Sequence, residues 1–279
     1  MLSMLKLLTI TLLLSSVAYA NSSSKIEDFL EESFSKNPRL VSVDVSVVDE
    51  IPLKNVKNWT GYIVDVSAVV KNKPKNRKIH QKMIWFSNGD VISPDLTDLL
   101  TGKSLKDSIK PKFKDIYYKE GNLIYGNANA EHKVAIFSDP LCPFCREYAP
   151  SAVKYMKKYP KKFAIYFYHF PLPRIHPASV TLVKAAIVAE LQGVKDVMLK
   201  LYTIKINPRE KNVGKILKAF NNLMHTNITP ADIKSKKVMD IYKQNIEIAT
   251  DLMVQGTPSI YFDGVVDKTR QMYKKVQVK

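Results

Sequence analysis

Cysteine is nearly absent from this chain. Of 279 residues two are cysteine, and both lie in the run Cys142-Pro143-Phe144-Cys145. A structural zinc site wants four ligands, and no second cysteine pair exists to supply them. The histidines do not complete a set: His80, His132, His169, His176 and His225 are scattered without paired ligand spacing, so no metal is expected. A purely structural disulfide is a weak reading, because the stabilisation gained by closing a loop grows with its length and this loop is very short. Long apolar runs are also lacking. Beyond Ala20 no stretch is both apolar enough and long enough to reach the ~20 residues of a membrane-spanning helix. Basic blocks interleaved with aromatics are absent, although the formal charge is +17. The lysines are spread along the whole chain, often as pairs such as Lys157-Lys158 and Lys161-Lys162. That distribution describes a solvated basic surface and excludes a nucleic-acid module as the first expectation. No internal repeat and no low-complexity segment is present.

Among the features that are present, the N-terminus comes first. One basic residue, Lys6, is followed by an apolar stretch ending Ala18-Tyr19-Ala20. This pattern predicts a cleavable secretory signal peptide over 1–20, the alternative being an uncleaved anchor. Export would place the two cysteines in an oxidising compartment. After it, Ile26 to Phe34 reads as a short amphipathic helix. Val41 to Val48, Tyr62 to Val70 and Lys82 to Phe86 carry apolar residues at alternate positions, as half-buried strands do. The polar run Lys71 to Lys78 reads as an exposed hairpin loop. These elements predict an N-terminal α+β domain over 21–94, a helix laid on an antiparallel sheet. Residues 95–112 read as a connector, with a break at Gly102.

The remainder, 113–279, has another rhythm. Ile116-Tyr117-Tyr118 and Leu123-Ile124-Tyr125 flank Glu120-Gly121-Asn122 and read as a hairpin. Val134 to Phe137 and Phe163 to Phe170 are continuous apolar runs, typical of strands covered on both faces. Helices are expected over Arg146 to Tyr159 and over Pro177 to Leu191, the latter ended by Gly193. From about Val194 to Met253 the pattern stays helical, with Thr229-Pro230-Ala231-Asp232 as an N-terminal signal. Gly256-Thr257-Pro258, an apolar strand Ser259 to Phe262 and the turn Asp263-Gly264 close the pattern. The sum is an α/β domain, a mixed sheet with helices on both faces and a helical insertion over about 178–253.

Cys142 stands between a buried strand and a helix. The helix N-terminus favours negative charge there, through its unbonded N–H groups and its dipole. Pro143 suits the first helical turn, where its missing N–H is not needed. A thiol of pKa ~8.5 is only a few per cent thiolate at neutral pH, whereas one shifted to ~5.5 is almost fully ionised. Thiol–disulfide exchange needs such a thiolate and a second thiol within reach. The reading is therefore Cys142 as exposed nucleophile and Cys145, one turn on, as the more buried resolving thiol. His169 and His176 fall in the loop after the second buried strand, where one of them could line the site.

Several features together carry a resemblance. They are the strand ending Phe137-Ser138-Asp139-Pro140-Leu141, the Cys-Pro-Phe-Cys run, a helix with Pro150 five residues past the second cysteine, and the late Gly256-Thr257-Pro258-Ser259. The chain resembles the thioredoxin superfamily, and within it the bacterial periplasmic Dsb proteins of the DsbC/DsbG type. The match covers about residues 113–268, while for the N-terminal domain it rests on order and size. The resemblance implies a thioredoxin-like catalytic domain and a small N-terminal dimerisation domain. It also implies a periplasmic location and a cis peptide before Pro258, with Thr257 beside the redox-active disulfide Cys142–Cys145. No further cofactor is implied. It makes Pro143, Phe144, Thr257 and Pro258 the active-site loops that meet substrate, and Asp139 and His176 possible modulators. Two stretches depart from the type. Phe170 to Ala178 looks more like the monomeric oxidase DsbA, and Ile136 stands where thioredoxin and DsbA bury an acidic residue.

Three functions follow as expectations. The first is a homodimeric disulfide isomerase or reductase acting on exported cysteine-containing proteins and kept reduced by a DsbD-like membrane partner. The second is a dimeric oxidase of the same architecture, kept oxidised by a DsbB-like partner. The third is a chaperone-like binding module in which the cysteine pair is incidental.

Overall fold

The computed structural model describes residues 23–54 and 56–277. The expected signal peptide, 1–20, lies outside them. The chain forms two compact units that divide between Pro111 and Lys112. Among the described residues, no helix is long and apolar enough to cross a membrane.

The first unit is a helix on an antiparallel sheet. Helix α1 spans 23–35. Its apolar residues Ile26, Leu30 and Phe34 recur every fourth position and so share one face. That face packs on Val45, Tyr62, Val64 and Val66 of the sheet, with the Phe34 and Trp85 rings 6.4 Å apart. The strands are β1 (Leu40–Pro52), β2 (Thr60–Val70), β3 (Arg77–Ser87) and β4 (Ile92–Ser93), paired in sequence order. Alternation predicts one solvated face, but β2 is buried at four consecutive positions, 61–64. Tyr62 and Val64 face α1, and Ile109 of the connector covers part of the opposite face. It packs so closely on Gly61 that a Cβ there would lie 2.7 Å from its Cδ1.

The second unit holds a five-stranded mixed sheet of order β5-β7-β6-β8-β9, in which only β6 and β7 run parallel. Its strands are β5 (Leu123–Tyr125), β6 (His132–Ser138), β7 (Phe163–His169), β8 (Ser259–Phe262) and β9 (Val265–Val266). The helices are α2 (Pro143–Met156), α3 (Pro177–Leu191), α4 (Val197–Leu201), α5 (Val213–Met224) and α6 (Lys236–Asp251). Side chains alternate across central β6. Val134 and Ile136 face a core built with α2, α3 and α5, whereas Ala135 and Phe137 face Ile248, Ala249 and Leu252 at the end of α6. The architecture is thus an α+β unit followed by a thioredoxin-like α/β unit with helices inserted between β7 and β8.

Three local expectations are corrected. Residues 116–118 are not a hairpin strand: Asp115–Tyr117 is a 3-10 turn, and β5 pairs with β7 instead. Tyr117 and Tyr118 serve an aromatic cluster around Phe113, at ring separations of 5.6 and 4.5 Å, and Tyr168 donates its hydroxyl to the Tyr117 carbonyl. The helical stretch 194–253 is broken into three helices by loops at 202–212 and 225–235. Finally, Thr229-Pro230-Ala231-Asp232 does not start α6. The Asp232 carboxylate turns back to accept from the Thr229 N–H and hydroxyl, and α6 begins after Ser235.

Gly126 closes β5 onto the start of β7. Its φ is +81°, and a Cβ would meet the Phe163 carbonyl oxygen at 1.9 Å. Backbone cannot yield there as a flexible side chain can. Gly126→Ala is expected to destabilise the protein by about 3 kcal/mol or more, read as a lowered urea midpoint. A midpoint within error of wild type would refute this packing.

Candidate active site

Buried strand β6 delivers the chain to the site, and a tight turn passes it into α2. Cys142 is the N-cap of α2 and Pro143 its first residue. Both cysteines are free thiols. The Thr257–Pro258 bond, just before β8, is cis. The Thr257 carbonyl oxygen lies 3.4 Å from Cys142 Sγ, so a loop 115 residues away in sequence forms the opposite wall. The Thr257 hydroxyl also stands against the sulfurs and favours the charged form of each. The Thr257 hydroxyl is buried and makes no hydrogen bond of regular geometry among the described residues. Pro143 and Phe144 rim the opening, with Phe144 64% exposed.

Cys142 itself is only 5% exposed, and Cys145 is fully buried. The nucleophile is therefore not the open thiol expected of a helix start. The cis-Pro258 loop covers it and leaves a narrow approach. The two sulfurs are tuned in opposite directions. Cys142 is lowered from the ordinary thiol value of 9.0 to about 5, chiefly by a hydrogen bond from the Cys145 thiol. Burial opposes the shift, while the Thr257 hydroxyl and the Cys145 and Phe144 backbone N–H groups reinforce it. Burial pushes Cys145 up, and its role as donor to Cys142 pushes it further. One proton shared by two neighbouring sulfurs produces this split, with the charge on the one nearer water.

Asp139 is placed below the site, not beside the sulfurs. Its carboxylate is fully buried. Oδ1 accepts from the Leu141 N–H at 2.7 Å and the Ser179 hydroxyl at 2.6 Å. Oδ2 accepts from the Leu172 N–H at 2.7 Å and lies 3.1 Å from His176 Nδ1. It thereby ties the turn before Cys142 to the Phe170–Ala178 stretch and to the start of α3. The modulator expected in His176 is thus a partner of Asp139. His169 points elsewhere: Nε2 lies 3.4 Å from Glu190, and its backbone N–H donates to Asn245.

Sequence reasoning passed over three residues here. Arg146 donates to the Pro140 and Ile204 carbonyls and fastens α2 to both. Ser138 and Tyr202 form a buried hydroxyl pair at 2.6 Å, and the Ser138 side chain favours the charged form of Cys145. Ser138 could have been suspected from its place next to Asp139, but nothing marks Tyr202. Among the described residues, no three His, Cys, Asp or Glu side chains gather as a metal site. Taken together, the site offers an ionised thiolate, a protonated thiol behind it and a backbone carbonyl at its mouth, the parts that disulfide exchange uses.

A family model described as thioredoxin matches residues 119–278. No curated protein matches the chain. Among solved structures, a periplasmic thioredoxin-like protein from Salmonella enterica serovar Typhimurium is 19% identical, at 59% coverage of this chain and 95% of that one, with a TM-score of 0.45. The catalytic domain of Proteus mirabilis ScsC is 20% identical, covering 58% and 92%, with a TM-score of 0.43. Oxidised BdbD from Bacillus subtilis is 17% identical, covering 60% and 92%, with a TM-score of 0.46.

Proposed function

This chain belongs to the thioredoxin family, and from that premise we propose that it is an exported thiol–disulfide oxidoreductase of the periplasm, acting on cysteine-containing proteins through Cys142 and Cys145. One observation carries the reading: a thiolate-prone Cys142 at the N-terminus of α2, backed by a protonated Cys145 and faced by the Thr257–Pro258 loop. Cys142 attacks a client disulfide and forms a mixed disulfide. Cys145 then attacks Cys142 Sγ, releasing the client as a thiol and leaving a Cys142–Cys145 disulfide. Oxidation of a client runs through the same steps reversed. Pro143 and Phe144 on one side, and Thr257 and Pro258 on the other, contact the client chain.

Within this class we favour a homodimeric isomerase or reductase of the DsbC/DsbG type. The N-terminal unit supports it, since exchange chemistry does not need that unit. Its β1 is a 13-residue edge strand with Val41 and Val48 exposed, the kind of edge that pairs with another strand. The oxidase reading draws support from Cys142, because a stabilised thiolate favours the reduced form and so raises the oxidising power of the disulfide. The resting redox state in cells, the reduction potential against glutathione and the mass in solution test these readings together. A fully oxidised cellular pool overturns the isomerase, and a monomeric mass overturns the dimer. The membrane partner would be a DsbD-like reductase in the first case and a DsbB-like oxidase in the second.

The thiolate itself can be titrated. Followed by the ultraviolet absorbance of the thiolate, Cys142 of the reduced protein should ionise near pH 5. Its folded pKa is depressed, so the stabilisation it gives is complete above the unfolded thiol value and fades as pH falls through about 5. Cys145 is shifted upward and stays protonated, adding no slope in that window. The oxidised protein has neither thiol. The stability of reduced over oxidised protein should therefore grow steadily from pH 5 to pH 8. An ionisation above pH 8 would overturn the assignment of Cys142 as nucleophile.

A further inference from the structure

The second unit holds a cavity of about 230 Å³ that is no part of the exchange site. It lies beside edge strand β5, and the ends of β7 and α3, together with α4 and α6, enclose it. That is small beside the ~300–1,000 Å³ of most ligand pockets, and it suits a small molecule. Ile124, Phe167, Met198 and Ile241 supply apolar walls. The floor is polar. Asn122, His169 and Asn245 line it, and each is more than nine-tenths buried. Buried polar groups normally find partners, so what each of these has left over is informative.

The Phe167 carbonyl can only accept, so the Asn122 amide atom 2.7 Å from it is the nitrogen. The second N–H of that nitrogen goes to Asn245 Oδ1 at 2.9 Å. Both Asn122 donors are thus spent, and its carbonyl oxygen is what remains. Asn245 Oδ1 also accepts from the His169 backbone N–H at 3.1 Å, which fills its two lone pairs. A carboxylate only accepts, so His169 Nε2, 3.4 Å from Glu190 Oε2, carries the ring proton. In the neutral ring Nδ1 is then an acceptor, buried and without a partner among the described residues. Glu190 stands in the last turn of α3, where the helix carbonyls add partial negative charge. Asp196 at the rim is already matched, by Lys157 at 3.4 Å and by the Tyr125 hydroxyl. Lys195 also lines the cavity, but it is exposed at the rim.

The spare capacity is therefore one-sided, with acceptors and negative charge inside apolar walls. We infer that this cavity binds a small primary alkylammonium ion. The head group donates to the Glu190 carboxylate and to Asn122 Oδ1, and the carbon chain lies against Phe167 and Met198. An ammonium has three protons to give and no acceptor to satisfy. Its hydrogen bonds to a carboxylate are of the stronger, charge-assisted kind. A carboxylate ligand would instead be repelled by Glu190 and would find both Asn122 donors taken. The site uses neither cysteine, so it stands apart from the exchange function proposed above. Two sources carry the same head group: a free amine, and a lysine side chain of another protein.

The test titrates the full chain, labelled with nitrogen-15, with n-pentylamine at neutral pH and follows the amide resonances. The controls are 1-pentanol and pentanoate, which share the carbon chain. n-Pentylammonium should saturate with a Kd of about 1 mM, within reach of so small a ligand. It should shift the amides of Asn122, His169 and Val194. Pentanol should bind about tenfold more weakly, and pentanoate should not bind. Glu190→Gln keeps the shape and removes the charge. It should weaken n-pentylammonium about tenfold or more, the worth of one hydrogen bond to a charged group, while disulfide exchange stays at the wild-type rate. A blocked lysine peptide that binds as well as the amine assigns the site to a protein side chain. Binding of the free amine alone assigns it to a small molecule. No saturable binding, equal binding of pentanoate, shifts confined to other surfaces, or wild-type affinity in Glu190→Gln overturns the inference.

Discussion

Cys142→Ser removes disulfide exchange, leaving below ~1% of wild-type activity in a peptide-disulfide assay, because a serine hydroxyl does not ionise where a thiolate does. The same substitution is close to isosteric and should leave the melting temperature within a few degrees of wild type. Loss of activity then cannot be ascribed to unfolding. Cys145→Ser behaves differently. Cys142 still attacks, but nothing resolves the product, so covalent complexes with client proteins accumulate and appear on non-reducing gels. The asymmetry follows from the structure. Cys142 is the sulfur near water and is lowered to about 5, while Cys145 is fully buried and held protonated. Trapped clients with Cys145→Ser and none with Cys142→Ser is the expected pattern, and the reverse would exchange the two roles. Unchanged cellular activity in Cys142→Ser would favour the chaperone-like reading, in which the pair is incidental.

Asp139→Ala should produce the largest loss of stability. The carboxylate is fully buried and answers two backbone N–H groups, one hydroxyl and His176. Alanine strands the Leu141 and Leu172 N–H groups in the interior, and each stranded buried donor costs about 1–3 kcal/mol. Breaking a buried charged cluster by removing one member typically costs about 3–5 kcal/mol. For a unit of this size that lowers the melting temperature by about 10 °C or more. Asp139→Asn keeps one acceptor oxygen and the shape, so it should fall between. A fall of under ~2 °C in Asp139→Ala would show that the hub does not hold the turn before Cys142. Because the same residue fastens the Phe170–Ala178 stretch, the alanine variant should also expose that segment to proteolysis before the rest of the unit unfolds.

What the sequence determined by itself is the part written in local pattern. The apolar runs of β6 and β7 announce buried strands. The step from β6 into Cys142-Pro143 announces a helix N-terminus, and an N-terminus is enough to favour a thiolate. The helix and three strands of the first unit follow from spacing alone. Wherever two local signals competed, the fold chose between them. Ile116-Tyr117-Tyr118 has strand character, yet the tyrosines went to the cluster on Phe113. Asp232 looks like a helix start, yet it caps its own turn at Thr229.

Only the tertiary structure decided how the cysteine pair is poised. That Cys142 is 5% exposed depends on the loop at Thr257, 115 residues away. That Ser138, at the end of β6, finds a buried hydroxyl partner depends on Tyr202, 64 residues away. Spacing carries no record of such contacts, because burial and hydrogen bonding to sulfur arise only when distant segments share one core. The Cys-Pro-Phe-Cys run places two thiols on one helical turn. Packing puts the charge on Cys142 and the proton on Cys145.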